Sequence, residues 1–525
     1  MPIDQETFEY ESMHEPQVSF ETQLKILPYR TTRGKPRNDY EPPFTSKLHY
    51  HMNNFVSYHR LSKENKNFMQ QLSAISIPNS VQEALKDPKW EEAMNEEMRS
   101  LQKNSTWEVV DLPIEKILVG CRWVFTIKHK MDGTIERFKA RLVAKGYTQT
   151  YGIDYTETFA PVPKINIVRI LISLAVNLDW PLYQFDVKNT FLHRDLQEKV
   201  YIELPPGCIL QTQGSTQVYR LRKSLYRLKQ SPSAWFRRFT KFMTSIGYKQ
   251  NNSDHTLFLK GNKKAITTLI INVDDMIVTS NDPEEKEALQ IHLAQEFKMK
   301  SLGNLKYFLG IEVSRSKEEI FMSQRKDALD LLKETGMTAC SPISTPIEEN
   351  LKLNIHPQQI PTNKERYQRL VGRLMYLAHT KPDLSYVLSV ISQFMHSPSE
   401  EYMKVVTRVL RYLKSSPGKG ILFKKGENLN IEGYTDADWA GLIEDRRSTS
   451  GYFTFIERNL VTCRSKKQEV VARSSAEAEY TGMAKAICEL LWIRNLMQEL
   501  LVEQTNAMKL YCDSKAACDI AHNPV

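Results

Sequence analysis

Between Ala265 and Ser280 the chain reads AITTLIINVDDMIVTS, two β-rich apolar runs that flank Asp274-Asp275 with almost no turn residues between them. The pattern predicts a tight hairpin that presents two adjacent carboxylates at its tip. An isolated Asp-Asp pair of this kind is more often a solvated acidic turn, so its meaning depends on what the rest of the chain brings beside it. The stretch LYQFDVKNTFLH (182–193) supplies a partner, placing Asp186 at the end of an alternating strand just before a helix-like segment.

Three carboxylates from neighbouring strands can hold two divalent cations about 3.5–4 Å apart, an arrangement that activates an attacking hydroxyl and stabilises a leaving pyrophosphate. Mg²⁺ suits hard oxygen ligands and phosphates, with Mn²⁺ as a substitute. Aspartates without a His or Cys would serve a zinc hydrolase poorly.

The chain has 525 residues, enough for about three domains. Its 71 Lys plus Arg against 62 Asp plus Glu leave a net charge of +9, which suits a polyanion without requiring one. The cysteines, among them Cys121, Cys463 and Cys512, form no CxxC pair and predict neither a zinc site nor a disulfide framework, so a reducing, intracellular compartment is expected. Apolar runs such as Ile170–Val176 are far short of the roughly 20 residues needed to cross a bilayer, and the acidic N-terminus is unlike a signal peptide. No membrane partner is expected, and the chain reads as soluble.

Residues 1–79 are polar with no apolar period and read as a linker or tail. Asn79 and Ser80 can then cap a helix whose apolar positions run from Val81 to Leu101 with a break at Asp87-Pro88. Strand-like WEVVDL (107–112) and RWVFTIKHK (122–130) follow, the second ending in the hairpin signal Met131-Asp132-Gly133. A Pro-, Ser- and Asn-rich stretch beginning near residue 345 marks a candidate boundary, residues 366–415 read as helices, and a strand-rich segment opens at Asn430.

RFKARLVAKGYTQTYGIDYTETFAPV (137–162), QFDVKNTFLHRDLQEKVYIELPPG (184–207), SLYRLKQSPSAW (224–235), NVDDM (272–276) and LKYFLGIEV (305–313) closely resemble copia-type retrotransposon reverse transcriptases in wording, order and spacing. IEGYTDADWAG (431–441), DRRSTSGYFTF (445–455), RSKKQEVVARSSAEAEY (464–480) and MKLYCDSKAA (508–517) resemble the ribonuclease H region of the same Pol polyproteins. The resemblance implies an α+β multidomain chain: a right-hand polymerase of fingers, palm and thumb over 80–345, a helical connection over 346–429, and an incomplete ribonuclease H-like α/β domain over 430–525.

Carried over residue by residue, it makes Asp186, Asp274 and Asp275 the polymerase metal ligands. Lys139 and Arg141 grip the incoming deoxynucleoside triphosphate, and Phe191 excludes a ribose 2′-hydroxyl, although Phe191 is equally an ordinary core aromatic. Asp436, Glu479 and Asp513, with Glu479 preferred over Glu477, become the carboxylates of the ribonuclease site. Each site would take two Mg²⁺. The implied partners are an RNA template, a DNA primer and their hybrid, and the implied setting is a cytoplasmic virus-like particle and then the nucleus. From Arg220 to Lys241, basic residues interleave with Tyr226, Trp235, Phe236 and Phe239, a pattern that suits a primer-template groove, while an amphipathic helix explains its second half equally well.

Three positions depart from the family pattern: Asn272 stands where Tyr is usual, and Arg194 and Arg227 stand where Gly is usual. The chain also ends at Val525, before a fourth ribonuclease carboxylate would be reached. These departures predict weak or absent polymerase activity and an incompletely packed ribonuclease domain. The alternative they support is a catalytically inactive remnant that binds nucleic acid only.

Overall fold

The computed structural model describes residues 77–523 together with the two-residue strand Tyr10–Glu11, apart from short interruptions of which the longest is 208–216. The fold is α+β. At its centre lies an antiparallel sheet with strands in the order Met299–Asn304, Leu182–Val187, Asp275–Ser280, Ile266–Asn272, Leu257–Gly261 and Lys249–Gln250.

Both faces of this sheet are covered, which is why its inner strands read as continuous apolar runs. Leu182, Ile266, Ile270 and Ile277 join the core of the helix Ile165–Asn177. Their alternating neighbours Phe185, Leu269, Ile271, Met276 and Val278 pack with the helices Ser231–Ser245 and Pro283–Glu296. Each fully buried side chain of this size contributes roughly 1.5–3 kcal/mol, so the hairpin tip between the two middle strands stands on a rigid base.

N-terminal to the sheet, Ser80 caps the short helix Val81–Ala84 by accepting from Glu83 N, and Asp87 caps a second helix, Pro88–Lys103. The apolar side of the second helix, Trp90, Ala93, Met94 and Leu101, packs on the long hairpin Cys121–His129 and Ile135–Ala144. The hairpin's turn signal, Met131-Asp132-Gly133, lies outside the described residues.

The domain boundary expected at 345 does not divide the cores. The helix Arg325–Glu334 packs its Ala328, Leu331 and Leu332 among Tyr367, Leu374, Val387, Tyr402 and Val406 of the connection. The strand Ile421–Lys424 completes the small sheet begun by Tyr307–Phe308, Ile311–Arg315 and Glu319–Ser323. The stretch after 340 looked like a boundary because it is rich in Pro, Ser and Asn, yet Ile347, Leu351 and Leu353 lie against the helical core. It is a strap across that core, and the connection is not a free-standing spacer.

In the C-terminal region Asn459–Lys467, Thr449–Ile456 and Ile431–Ala437 form an antiparallel meander, Lys509–Cys512 lies parallel to Ile431–Ala437, and the helix Ser475–Glu499 covers one face. Tyr10–Glu11 adds a parallel edge strand beside Leu510 and Tyr511, so the N-terminal segment is more than the linker its composition suggests. Among the described residues no helix is long and apolar enough to cross a membrane.

The regions meet at Arg169, which is buried in the helix Ile165–Asn177, donates to the backbone oxygen of His379, and approaches Cys463 Sγ at 3.7 Å. Burial, reinforced by the Arg169 charge, pushes His379 down to about 4. A histidine held neutral in the fold but free to protonate when unfolded stabilises the protein fully above its unfolded value of about 6.5, and that contribution is lost as pH falls toward 4. His379→Gln should therefore shrink the loss of stability between pH 7 and pH 4.5 by about 2 kcal/mol, measured as urea midpoints at the two pH values.

Candidate active sites

The first site is assembled by strand register. Asp275 pairs directly with Asp186 across neighbouring antiparallel strands, and Val187 N donates to Asp274 O at 2.9 Å. The three acids singled out in the sequence thus converge at the exposed end of the central sheet. Burial raises the Asp274 carboxyl above its ordinary range, the Asp186 charge adds to this, and Arg141 and Lys139 oppose it. Lys139 and Arg141 lie on Ile135–Ala144, opposite Thr126 and Val124, so the long hairpin brings both cations into the field of the carboxylates.

Tyr226 connects the two halves of the site. The Arg141 guanidinium lies 4.6 Å from its ring centroid, and Phe191 meets it edge-on at 5.1 Å. Burial raises the Tyr226 phenol, and the charges of Asp274, Glu97 and Asp186 add to the effect. Phe191 also packs against the core shared by Phe185 and Trp235, so the two readings of that residue coexist.

Two participants were not singled out beforehand. Tyr226 was seen only as one ring of a basic stretch. Glu97 sits on the apolar stripe of its helix between Met94 and Leu101, and an acid in such a stripe is the signal that could have found it. Burial raises its carboxyl, opposed by Arg141, a hydrogen bond from Leu142 N, and Lys139.

The basic stretch divides as its second explanation had it. Trp235 and Phe239 are buried core, not stacking platforms. Arg220 and Arg222 both pair with Glu108, at 3.0 and 2.5 Å, and Arg238 pairs with Glu296 at 2.7 Å. Lys229 donates to Gln149 O and Tyr155 Oη, each at 3.1 Å, tying the turn after Tyr226 to the loop at 146–155.

Of the three departures, Arg194 lies outside the described residues. Asn272 closes the hairpin opposite Asp275. Arg227 adopts φ +69°, the left-handed region in which glycine is favoured, and its carbonyl approaches Gly146 so closely that a Cβ there would lie 2.1 Å away. Arg227→Gly should accordingly raise the thermal midpoint by ~2–4 °C, the shift that about 1 kcal/mol produces in a domain of this size, measured by scanning calorimetry.

The second site joins Asp436 at the end of Ile431–Ala437, Glu479 in the first turns of Ser475–Glu499, and Asp513 directly after Lys509–Cys512. Ala437 N donates to Glu479 Oε1 at 3.0 Å, and donor atoms of Glu479, Cys512 and Asp513 lie within 4.8 Å of one another. Burial first, then the charges of Asp436 and Asp513 and a hydrogen bond with Asp436, push Glu479 up to about 7. Burial also pushes the Cys512 thiol up to about 12.

Glu477 is turned to other work: its side chain accepts from Arg473 N at 2.6 Å, and its own N–H donates to the N-cap Ser474 Oγ at 3.1 Å. Asp438, not singled out from sequence, accepts from Thr449 N, and burial together with the Asp436 charge raises its carboxyl. In the first site burial raises the proton affinity of Asp274, and in the second that of Glu479 and Asp438, and carboxylates gathered in this way are a donor set fitted to a hard divalent cation.

Residues 104–349 match the family described as reverse transcriptase (RNA-dependent DNA polymerase). The chain is 42% identical over 455 residues to the retrovirus-related Pol polyprotein from transposon RE1 of Arabidopsis thaliana, covering 86% of this chain and 31% of that one. It is 37% identical over 462 residues to the corresponding polyprotein from transposon TNT 1-94 of Nicotiana tabacum, covering 85% and 34%. The chain thus spans about a third of the length of the curated relatives it matches. Among solved structures, a foamy viral protease-reverse transcriptase in complex with RNA/DNA hybrid aligns with a TM-score of 0.41 and 11% identity, over 81% of this chain and 48% of that one.

Proposed function

Because the chain belongs to the reverse transcriptase family of retrovirus-related Pol polyproteins from copia-like transposons, we propose that it extends a DNA primer on an RNA template by two-metal nucleotidyl transfer. The observation that carries this reading is the register that sets Asp275 beside Asp186, with Lys139 and Arg141 acting on the adjacent Asp274.

Asp186, Asp274 and Asp275 would hold a pair of Mg²⁺ ions, which when bound lower the pKa of the primer 3′-hydroxyl and neutralise charge on the leaving pyrophosphate. Lys139 and Arg141 pair with the triphosphate of the incoming deoxynucleotide. The Tyr226 ring under Arg141 holds the guanidinium flat and restricts its swing, and Glu97 behind the hairpin offsets its charge while the site is empty of phosphate. Phe191 against Tyr226 forms an aromatic wall where the sugar would sit, limiting room at its 2′ position. In the second site Asp436, Glu479 and Asp513 would hold Mg²⁺ for cleavage of the RNA strand in an RNA-DNA hybrid.

The test is Mg²⁺-dependent extension of oligo(dT) on poly(A), comparing the chain with its Asp274→Asn, Asp275→Asn double variant. Extension and pyrophosphate release by the parent, and neither by the variant, is the expected result. A parent that binds the hybrid but releases no pyrophosphate would instead support a second reading, a binding remnant, which the left-handed backbone at Arg227 favours.

A further inference from the structure

The hairpin that carries Asp274 and Asp275 turns through Val273, whose φ is +55°. Two-residue hairpin turns with a positive φ at the first position ordinarily use glycine there, and a β-branched residue in this region is a marked exception. Something outside the turn must over-determine that conformation for it to persist. The indole of Trp235 meets that need: its Nε1 donates to Val273 O at 2.8 Å. Trp235 is 2% exposed, on the helix Ser231–Ser245, with its ring edge-on to Phe297 at 5.0 Å and tilted against Phe239 at 5.7 Å.

We propose that Trp235 is a positioning residue for the polymerase site, its buried N–H fixing the direction of the Val273 carbonyl and thereby the peptide plane that leads into Asp274. This rests on the reading of Asp274 and Asp275 as polymerase ligands. If the carbonyl were released, Val273 would return to negative φ, the 273–274 peptide would rotate, and the Asp274 carboxyl would leave its place beside Asp186. Asp274 O would also move away from Val187 N, to which it is bonded at 2.9 Å. The anchor reaches the turn from a rigid aromatic core, so it holds the carboxylates whether or not cation and nucleotide are bound.

The test replaces Trp235 with β-(3-benzothienyl)alanine, which keeps the bicyclic ring and substitutes sulfur for the N–H, with Trp235→Phe as a simpler companion. Amide hydrogen exchange at residues 273–276, measured without metal or nucleotide, should quicken at least about tenfold while exchange in Ser231–Ser245 is unchanged, the effect of losing one directional bond. In primer extension, kcat should fall about tenfold, with KM for the deoxynucleotide and hybrid affinity unchanged. Adding Val273→Gly, which makes the left-handed backbone intrinsically accessible, should restore most of kcat.

Unchanged exchange at the turn overturns the proposal, and so does a kcat loss that Val273→Gly does not recover, since a packing role would not respond to glycine at 273. A parent chain that extends no primer defeats the functional reading, and the exchange measurement then decides the anchoring by itself.

Discussion

Asp186→Asn is expected to lower primer extension by on the order of 10³-fold and at the same time to raise the thermal midpoint of the metal-free protein. The rate loss corresponds to about 4 kcal/mol of transition-state stabilisation, the scale expected if Asp186 is one of the carboxylates that would hold a cation. The gain in stability follows from the same geometry. The Asp186 charge raises the Asp274 carboxyl, after burial, so in the absence of cation the two acids repel each other. Removing one charge relieves that repulsion by about 1 kcal/mol at the effective dielectric of a partly buried site. Extension on poly(A) and calorimetry in EDTA at pH 7 give the two readings. Equal activity would remove Asp186 from the site, and a lowered midpoint would show that the carboxylate is held by stabilising contacts instead.

Glu479→Gln should have the second largest effect, and its pH dependence has a definite sign. Glu479 titrates near 7 in the fold against 4.5 as an ordinary glutamate. Below pH 4.5 it is protonated in both states and makes no difference. Between 4.5 and 7 the unfolded chain releases the proton while the folded one keeps it, so the unfolded state gains and stability falls as pH rises. Above 7 the penalty is constant at roughly 3 kcal/mol. The Gln variant should therefore match the parent at pH 4 and exceed it by about 2–3 kcal/mol at pH 8 in metal-free buffer, while cleavage of RNA in a hybrid is lost. Mg²⁺ binding to the parent near pH 6.5 should release protons, and calorimetric titration in buffers of different ionisation enthalpy would detect them. A variant with the parent's own pH profile would place the titration elsewhere.

The convergence of Asp186, Asp274 and Asp275 was legible because its signals are local. Asp274 and Asp275 interrupt a β-rich apolar run with almost no turn residues, and Asp186 ends an alternating strand. The order Ala-Glu-Tyr favoured Glu479 over Glu477, and in the fold the Glu477 side chain is engaged at the start of its own helix by Arg473 N. What escaped depends on contacts between distant segments. Nothing near Ile421–Lys424 announces that it pairs with Glu319–Ser323, because a four-residue alternation carries no address. Glu97 and Tyr226 join the first site only through how a helix and a turn pack on the long hairpin. The boundary expected at 345 failed for the converse reason: a polar strap and a boundary segment have the same composition, and only the contacts of the partly buried Ile347, Leu351 and Leu353 with the helical core tell them apart.

The pairing of Ile421–Lys424 with Glu319–Ser323 also governs the order of events during synthesis. As the chain leaves the ribosome, Glu319–Ser323 emerges with one edge bare and must wait through the whole connection before its partner appears. An uncovered edge strand in a nascent or shortened chain is a template for pairing with another molecule. A polypeptide ending at residue 345, however complete its catalytic carboxylates, would carry that edge permanently and would also leave Ala328, Leu331 and Leu332 uncovered. The smallest unit in which this edge is paired therefore reaches at least Lys424, and proteolytic nicking of the strap at 341–349 should be far better tolerated than truncation at the same place.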